Sequence, residues 1–104
     1  MILAIDFDNV IHASNHPKPG MKMGPPMEGA LETLTKWHQA RHTIIVHSVR
    51  GGRPQHIEDW MNYYKIPFDT VTNIKPAADI YIDDKGFRFV SWGQINEIEE
   101  ILAS

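Results

Sequence analysis

The chain has 104 residues, enough for one domain with a thin hydrophobic core. It has no cysteine and no apolar run long enough for a membrane span or a signal sequence, so disulfides and thiolate metal sites are excluded and a cytoplasmic protein is predicted. The formal net charge of −3 argues against tight nonspecific binding of nucleic acid.

The predicted elements alternate between strands and helices along residues 1–104. Residues 2–5 form an apolar run typical of a buried parallel strand, and a helix follows at 28–41. The remaining predicted elements are, in order, a strand at 43–47, an amphipathic helix beginning at Pro54, strands at 68–71, 80–82 and 87–90, and a helix beginning at Ser91. This order predicts a single α/β domain, a three-layer α/β/α Rossmann-like fold around a parallel sheet.

A loop rich in proline and glycine separates the first predicted strand from the first helix. It covers about residues 12–26 and carries Lys18 and Lys22. Long loops without secondary structure are uncommon in compact domains and are often functional. We therefore expect this loop to act as a flap that touches the substrate.

Two pairs of carboxylates follow predicted strands. Asp6 and Asp8 come after the first strand, and Asp83 and Asp84 come at the end of the fourth. Alone, each pair is typical of a turn. In parallel sheets, however, ligands bind at the carboxyl ends of the strands. If the first and fourth strands are neighbours, up to four like charges converge there. A cation or shared protons must then compensate them, and magnesium suits such oxygen ligands.

Three further polar residues are candidates for binding an anion. Ser48 ends the second strand and could donate its hydroxyl to a phosphate oxygen, or serve as an ordinary cap. Lys75 could stabilise a carboxylate nucleophile and a bound phosphate, or lie on the surface. Arg50 could reach a second anionic group or flank a turn. A dedicated histidine metal site is not expected, although His12 could line the active site.

Four motifs occur in order along residues 2 to about 90, and together they resemble those of the haloacid dehalogenase superfamily, most of whose members are phosphatases. They are Asp6-Phe7-Asp8-Asn9-Val10, the apolar strand ending at Ser48, Lys75, and Ile80-Tyr81-Ile82-Asp83-Asp84. Asn9 stands where glycine is frequent in that superfamily. We expect it to be tolerated, because asparagine enters the left-handed region of backbone conformation more easily than most residues.

The resemblance implies a role for each matched residue. Asp6 would be the nucleophile and a metal ligand, forming an aspartyl-phosphate. Asp8 would be the general acid and base, and its backbone carbonyl would bind the metal. Ser48 and Lys75 would hold the phosphate. Asp83 and Asp84 would complete a magnesium site, with Asp84 favoured as the direct ligand.

The function implied is that of a magnesium-dependent phosphomonoester hydrolase. The short segments between motifs resemble the capless type of this superfamily. An open site suits a large phosphorylated substrate, whereas an oligomer could enclose a small one. Two alternatives stay open: a phosphate-binding interaction module without turnover, and a phosphatase acting on nucleic-acid ends. The acidic net charge does not favour intrinsic affinity for nucleic acid.

Overall fold

The computed structural model describes residues 1–13, 23–48, 54–74 and 76–83, and the backbone of 87–88. Strands and helices alternate as predicted. Their bounds are β1 Ile2–Asp6, α1 Ala30–Gln39, β2 Thr43–His47, α2 Pro54–Tyr63, β3 Thr70–Thr72, β4 Ile80–Asp83 and β5 Phe87–Arg88. Neither α1 nor α2, the helices within the described residues, has the length and hydrophobicity needed to cross a membrane.

Two elements begin later than the sequence predicts. The helix α1 starts two residues after position 28, because Gly29 takes a left-handed conformation with φ 88° and cannot belong to the helix. The strand β3 starts at Thr70. The residue before it, Asp69, makes the first backbone hydrogen bond to β2, from its N–H to the carbonyl of Ile44. The helix predicted from Ser91 lies outside the described residues.

The five strands form one parallel sheet in the order β3-β2-β1-β4-β5. The first strand is therefore central and has β2 and β4 as its neighbours. The condition for convergence of the two carboxylate pairs, that the first and fourth strands lie side by side, is confirmed. This topology brings the carboxyl ends of β1, β2 and β4 to one edge of the sheet.

The main hydrophobic core lies against one face of the sheet. Leu3 and Ile5 of β1 are buried, and so are their register partners on both sides, Ile44, Val46, Ile80 and Ile82. Because crossovers between parallel strands are right-handed, α1 and α2 cover this same face. They contribute Leu34, Trp37, Ile57, Trp60 and Met61 to the core. Burial of each such side chain stabilises the fold by about 1.5–3 kcal/mol.

The opposite face of the sheet is less buried. Ile2 is 40% exposed, and Ile45 and Tyr81 are partly exposed. A third layer on this face depends on the helix predicted from Ser91, so the three-layer arrangement stays a prediction while the α/β fold is confirmed.

Two aspartates join the amino-terminal edge of the sheet. Asp79 accepts a hydrogen bond of 2.6 Å from the Ile2 N–H and donates its own N–H to the Ile2 carbonyl. Asp69 makes the same pair of bonds with Ile44, with 2.7 Å to its carboxylate. These carboxylates lie at the end of the sheet opposite to Asp6 and Asp83, so they hold strands in register.

Both helices end in a left-handed residue that is not glycine. Arg41 has φ 69° after α1, and Lys65 has φ 59° after α2. In each case the next residue donates its N–H to a carbonyl five positions back, namely His42 to Trp37 and Ile66 to Met61. This is the Schellman arrangement, in which glycine normally occupies the left-handed position.

We expect Lys65→Gly to stabilise the protein. A side chain in the left-handed region costs about 1–2 kcal/mol, and the greater freedom of glycine in the unfolded chain returns part of that gain. The net increase in the free energy of unfolding should be about 0.5–1 kcal/mol, or a few degrees in Tm. Thermal unfolding by circular dichroism measures it. The matched variant Lys36→Gly, inside α1, should lower Tm by a similar amount. A lower Tm for Lys65→Gly would contradict the argument.

Candidate functional site

The turn after β1 brings Asp8 back towards the end of its own strand. The Phe7 N–H donates to the His47 carbonyl at 3.0 Å, and the carbonyl of Phe7 accepts from the N–H groups of Ile11 and His12. The chain reverses at Asn9, which has φ 64°. The expectation that Asn9 occupies the left-handed region is confirmed.

A row of polar residues crosses the carboxyl ends of four strands. Asp6 of β1 pairs in register with His47 of β2, which pairs in turn with Thr72 of β3. On the other side, Ile5 pairs with Ile82, which places Asp83 of β4 one step further along, beside Asp6. Successive residues of a strand alternate between faces, so the row lies on the face of the sheet opposite to Leu3 and the main core.

The pKa of Asp6 is raised above its ordinary value. Burial of the carboxyl is the largest cause. A hydrogen bond from the Phe7 N–H, 3.2 Å from Oδ1, and the charge of His47 act in the opposite direction. The negative charges of Asp83 and Asp8 raise the pKa further. The pKa of Asp6 is therefore affected by Asp83 and Asp8, the two predicted carboxylate partners among the described residues.

These carboxylates match magnesium in donor chemistry, because all are hard oxygen donors. Asp83 and Asp8 also make ionisation of Asp6 less favourable, which a bound cation would offset. Within the described residues, no group of three or more histidine, aspartate or glutamate side chains is already assembled at metal-binding distances. Asp84 lies outside those residues. The choice between Asp83 and Asp84 as direct ligand thus stays a prediction, and so does the metal site itself.

Ser48 is buried directly after β2, with 6% of its surface exposed. Its N–H donates to the Thr72 carbonyl at 3.0 Å, which continues the ladder between β2 and β3 and fixes the residue beside the polar row. The predicted position of Ser48 at the carboxyl edge is confirmed, and its role in phosphate binding stays a prediction. Arg50 and Lys75 lie outside the described residues.

The backbone on both sides of position 75 is held by hydrogen bonds. Before it, the Thr72 hydroxyl accepts from the Ile74 N–H at 3.1 Å. After it, the Tyr81 hydroxyl donates to the Pro76 carbonyl at 2.6 Å and accepts from the Ala78 N–H at 3.1 Å. Tyr81 is in β4, two residues before Asp83, so the loop that carries Lys75 is tied to the strand that carries a candidate metal ligand.

We expect Tyr81→Phe to weaken binding of inorganic phosphate. The family resemblance assigns phosphate binding to Lys75, and the variant removes both hydrogen bonds from the following loop segment. Loss of these bonds should lower the free energy of unfolding by about 1–2 kcal/mol and the phosphate affinity by about 3- to 10-fold. Isothermal titration with phosphate and magnesium measures the second effect. Tyr63→Phe, at a side chain 72% exposed, is the matched control and should leave both quantities unchanged. Equal phosphate affinity in the two variants would exclude a positioning role for Tyr81.

The structure adds residues that sequence reasoning did not place in the site. His47 was predicted only as the last residue of a strand, and its pairing with Asp6 depends on the register between β1 and β2. The second is Tyr81, which was predicted only as part of the fourth strand. His12 was a candidate for lining the site, and the structure places its imidazole Nδ1 2.9 Å from Asp8 Oδ1.

Fold and site together define an α/β domain with Asp6 and Asp83 on neighbouring strands at the carboxyl edge of its parallel sheet. No family model matches the sequence, and no curated protein does. The chain is similar to a solved structure of a conserved protein coded by a locus from Bacteroides thetaiotaomicron. That similarity has a TM-score of 0.74 and 28% sequence identity over 96% of this chain and 89% of the other. This similarity supports the α/β fold and assigns no activity to this chain.

Proposed function

We propose that this protein is a magnesium-dependent phosphomonoester hydrolase that acts through an aspartyl-phosphate. The observation that carries the proposal is that the charges of Asp83, on a neighbouring strand, and Asp8, in the tight turn after β1, both raise the pKa of Asp6. At the ligand-binding edge of a parallel sheet, these two negative charges raise the free energy of ionised Asp6. Such an arrangement is typical of a site that receives a cation and an anionic substrate.

In this reaction the Asp6 carboxylate attacks phosphorus, and the bond from phosphorus to the leaving oxygen breaks. Asp8, in its acid form, transfers its proton to that oxygen. The Asp8 carboxylate then takes a proton from water, whose oxygen attacks the aspartyl-phosphate. Inorganic phosphate is released and Asp6 is restored. The position of Asp8, two residues after the nucleophile and returned by the turn at Asn9, supports this second role.

The residues that would hold magnesium are Asp6, the backbone carbonyl of Asp8, and Asp83 or Asp84. A magnesium ion bound there would supply positive charge that offsets the carboxylates and the phosphoryl oxygens. Ser48 and Lys75 would bind the remaining phosphoryl oxygens. Arg50 would contact a second anionic group of the substrate.

The experiment is release of inorganic phosphate from a panel of phosphomonoesters, with and without magnesium. The panel includes sugar phosphates, nucleotides, a phosphopeptide, and 3′- and 5′-phosphorylated oligonucleotides. We expect activity that needs magnesium and shows little dependence on salt. If the oligonucleotides are preferred and their affinity falls steeply with salt, the substrate is a nucleic-acid end. Binding of magnesium and phosphate without turnover would show a binding module, and binding of neither would refute the site.

A further inference from the structure

The imidazole of His12 is buried and has a partner at each ring nitrogen. It is 2% exposed. Its Nδ1 lies 2.9 Å from Asp8 Oδ1, and its Nε2 lies 2.8 Å from the backbone nitrogen of Gly24. A backbone N–H can only donate, so Nε2 must accept. In this arrangement the ring carries its proton on Nδ1 and donates it to Asp8.

Aromatic side chains hold the ring in this orientation. The Phe7 ring stacks on the imidazole, with centroids 4.9 Å apart and an angle of 10° between planes. Trp60 of α2 meets the imidazole edge to face, with centroids 5.4 Å apart. The indole Nε1 of Trp60 also donates to the Gly24 carbonyl at 3.0 Å. A rotation of the imidazole would therefore break hydrogen bonds and aromatic contacts together.

The same histidine joins the two ends of the predicted flap. The Ala13 N–H donates to the Pro25 carbonyl at 2.8 Å, and the Met27 N–H donates to the Ile11 carbonyl at 2.7 Å. These bonds bring both ends of the loop at 12–26 side by side, and Gly24 is one of the residues at that junction. A continuous series of hydrogen bonds thus runs from Trp60 through Gly24 and His12 to Asp8.

We propose that His12 is a positioning residue that orients Asp8 for proton transfer and is itself held in place by Gly24. This inference rests on the proposed function, because it assigns a purpose to the general acid of that reaction. A carboxyl group with one oxygen held by a fixed donor presents its other oxygen in a fixed direction. Misorientation of a general acid by about 1 Å can cost on the order of a hundredfold in rate.

Two substitutions separate the two hydrogen bonds of the ring. In His12→Asn, the amide nitrogen can occupy the position of Nδ1 and still donate to Asp8, whereas the bond to Gly24 is lost. In His12→Gln, the amide oxygen can reach the position of Nε2 and still accept from Gly24, whereas the bond to Asp8 is lost. Both variants lose aromatic stacking, so both should be less stable. His56→Gln, at an exposed position of α2, is the control for loss of a histidine.

The readout is the dependence of kcat/KM on the leaving group. An alkyl phosphate such as glycerol phosphate needs protonation of its leaving oxygen, whereas p-nitrophenyl phosphate hardly does. General acid catalysis contributes about 10²–10⁴-fold where it is needed. We expect His12→Gln to lose tenfold or more on the alkyl ester and less than about threefold on the nitrophenyl ester. His12→Asn should lose the same factor on both esters.

If both variants lose equally on both esters, His12 serves packing alone and the inference is wrong while the proposed hydrolase stands. A wild-type protein that hydrolyses neither ester nor any member of the wider panel refutes the proposed function, and this inference with it. Nitrogen-15 NMR of the wild-type histidines tests the geometry without turnover. We expect His12 to be protonated on Nδ1, with that proton protected from exchange. Protonation on Nε2 would overturn the inference even in an active enzyme.

Discussion

Asp6→Asn is expected to abolish phosphate release and, in metal-free buffer at pH 7, to raise the Tm of the protein. Asparagine cannot form the acyl-phosphate, so kcat should fall by at least about a thousandfold. The same substitution removes an ionised group that burial and the charges of Asp83 and Asp8 make unfavourable. Stability and activity should therefore change in opposite directions at this residue.

The pH dependence follows from the direction of the pKa shift. The pKa of Asp6 is raised on folding, so the folded protein binds a proton at this group more tightly than the unfolded chain does. The stabilising contribution of the protonated group is present below the ordinary aspartate pKa and is lost as the pH rises through the folded value. The higher stability of Asp6→Asn should therefore appear at pH values above the folded pKa of Asp6 and disappear below the ordinary aspartate pKa.

Thermal unfolding at pH 3 and pH 7 in EDTA measures this effect, with phosphate release at pH 7 in magnesium as the companion assay. We expect a gain of a few degrees at pH 7. Asp79→Asn serves as the comparison because it also removes an aspartate charge, at the opposite edge of the sheet. If Asp6→Asn retains phosphate release, Asp6 is not the nucleophile. A lower Tm at pH 7 would contradict the unfavourable ionisation.

Asp83→Ala and Asp79→Ala are expected to have opposite profiles, although both change a carboxylate at an end of β4. Asp83 lies beside Asp6 and is a candidate magnesium ligand. Its removal should weaken magnesium binding and lower kcat/KM at limiting magnesium by at least tenfold, the lower range for loss of a partner of a bound metal. In EDTA the pKa of Asp6 should lie closer to its ordinary value in this variant, because one negative charge near Asp6 is gone.

Asp79→Ala should leave the magnesium dependence unchanged and lower stability. Its carboxylate accepts a 2.6 Å hydrogen bond from the Ile2 N–H, and loss of that acceptor should cost about 1 kcal/mol. Magnesium titrations of activity, together with unfolding in EDTA, measure both quantities in both variants. If Asp83→Ala retains the wild-type magnesium dependence, the metal contact must come from elsewhere, and Asp84→Ala becomes the variant to examine.

Local chemistry explains why much of the site could be predicted. The candidate residues other than Arg50 and Lys75 follow an apolar run at the point where a strand ends, and residues at the carboxyl ends of parallel strands meet at one edge. Asp6, Asp8, Ser48 and Asp83 are found at that edge. The left-handed conformation of Asn9 was expected for the same local reason, because its side chain tolerates a positive φ better than most.

Contacts between distant parts of the chain could not be predicted in this way. Trp60 of α2 is buried in the core, and it also donates a hydrogen bond to Gly24, 36 positions away. That bond requires α2 to pack over the end of the flap. Asp69 and Asp79 precede β3 and β4, and only strand pairing shows that they join the opposite edge of the sheet.

The sequence by itself determined the alternation of elements, the absence of thiolate chemistry, and which side chains follow strand ends, because periodicity and turn chemistry act over a few residues. Only the tertiary structure decided that β4 lies beside β1, that His47 faces Asp6 in register, and that His12 holds Asp8 and Gly24 together. Strand order and register result from packing of the whole core, to which residues far apart in the chain contribute jointly.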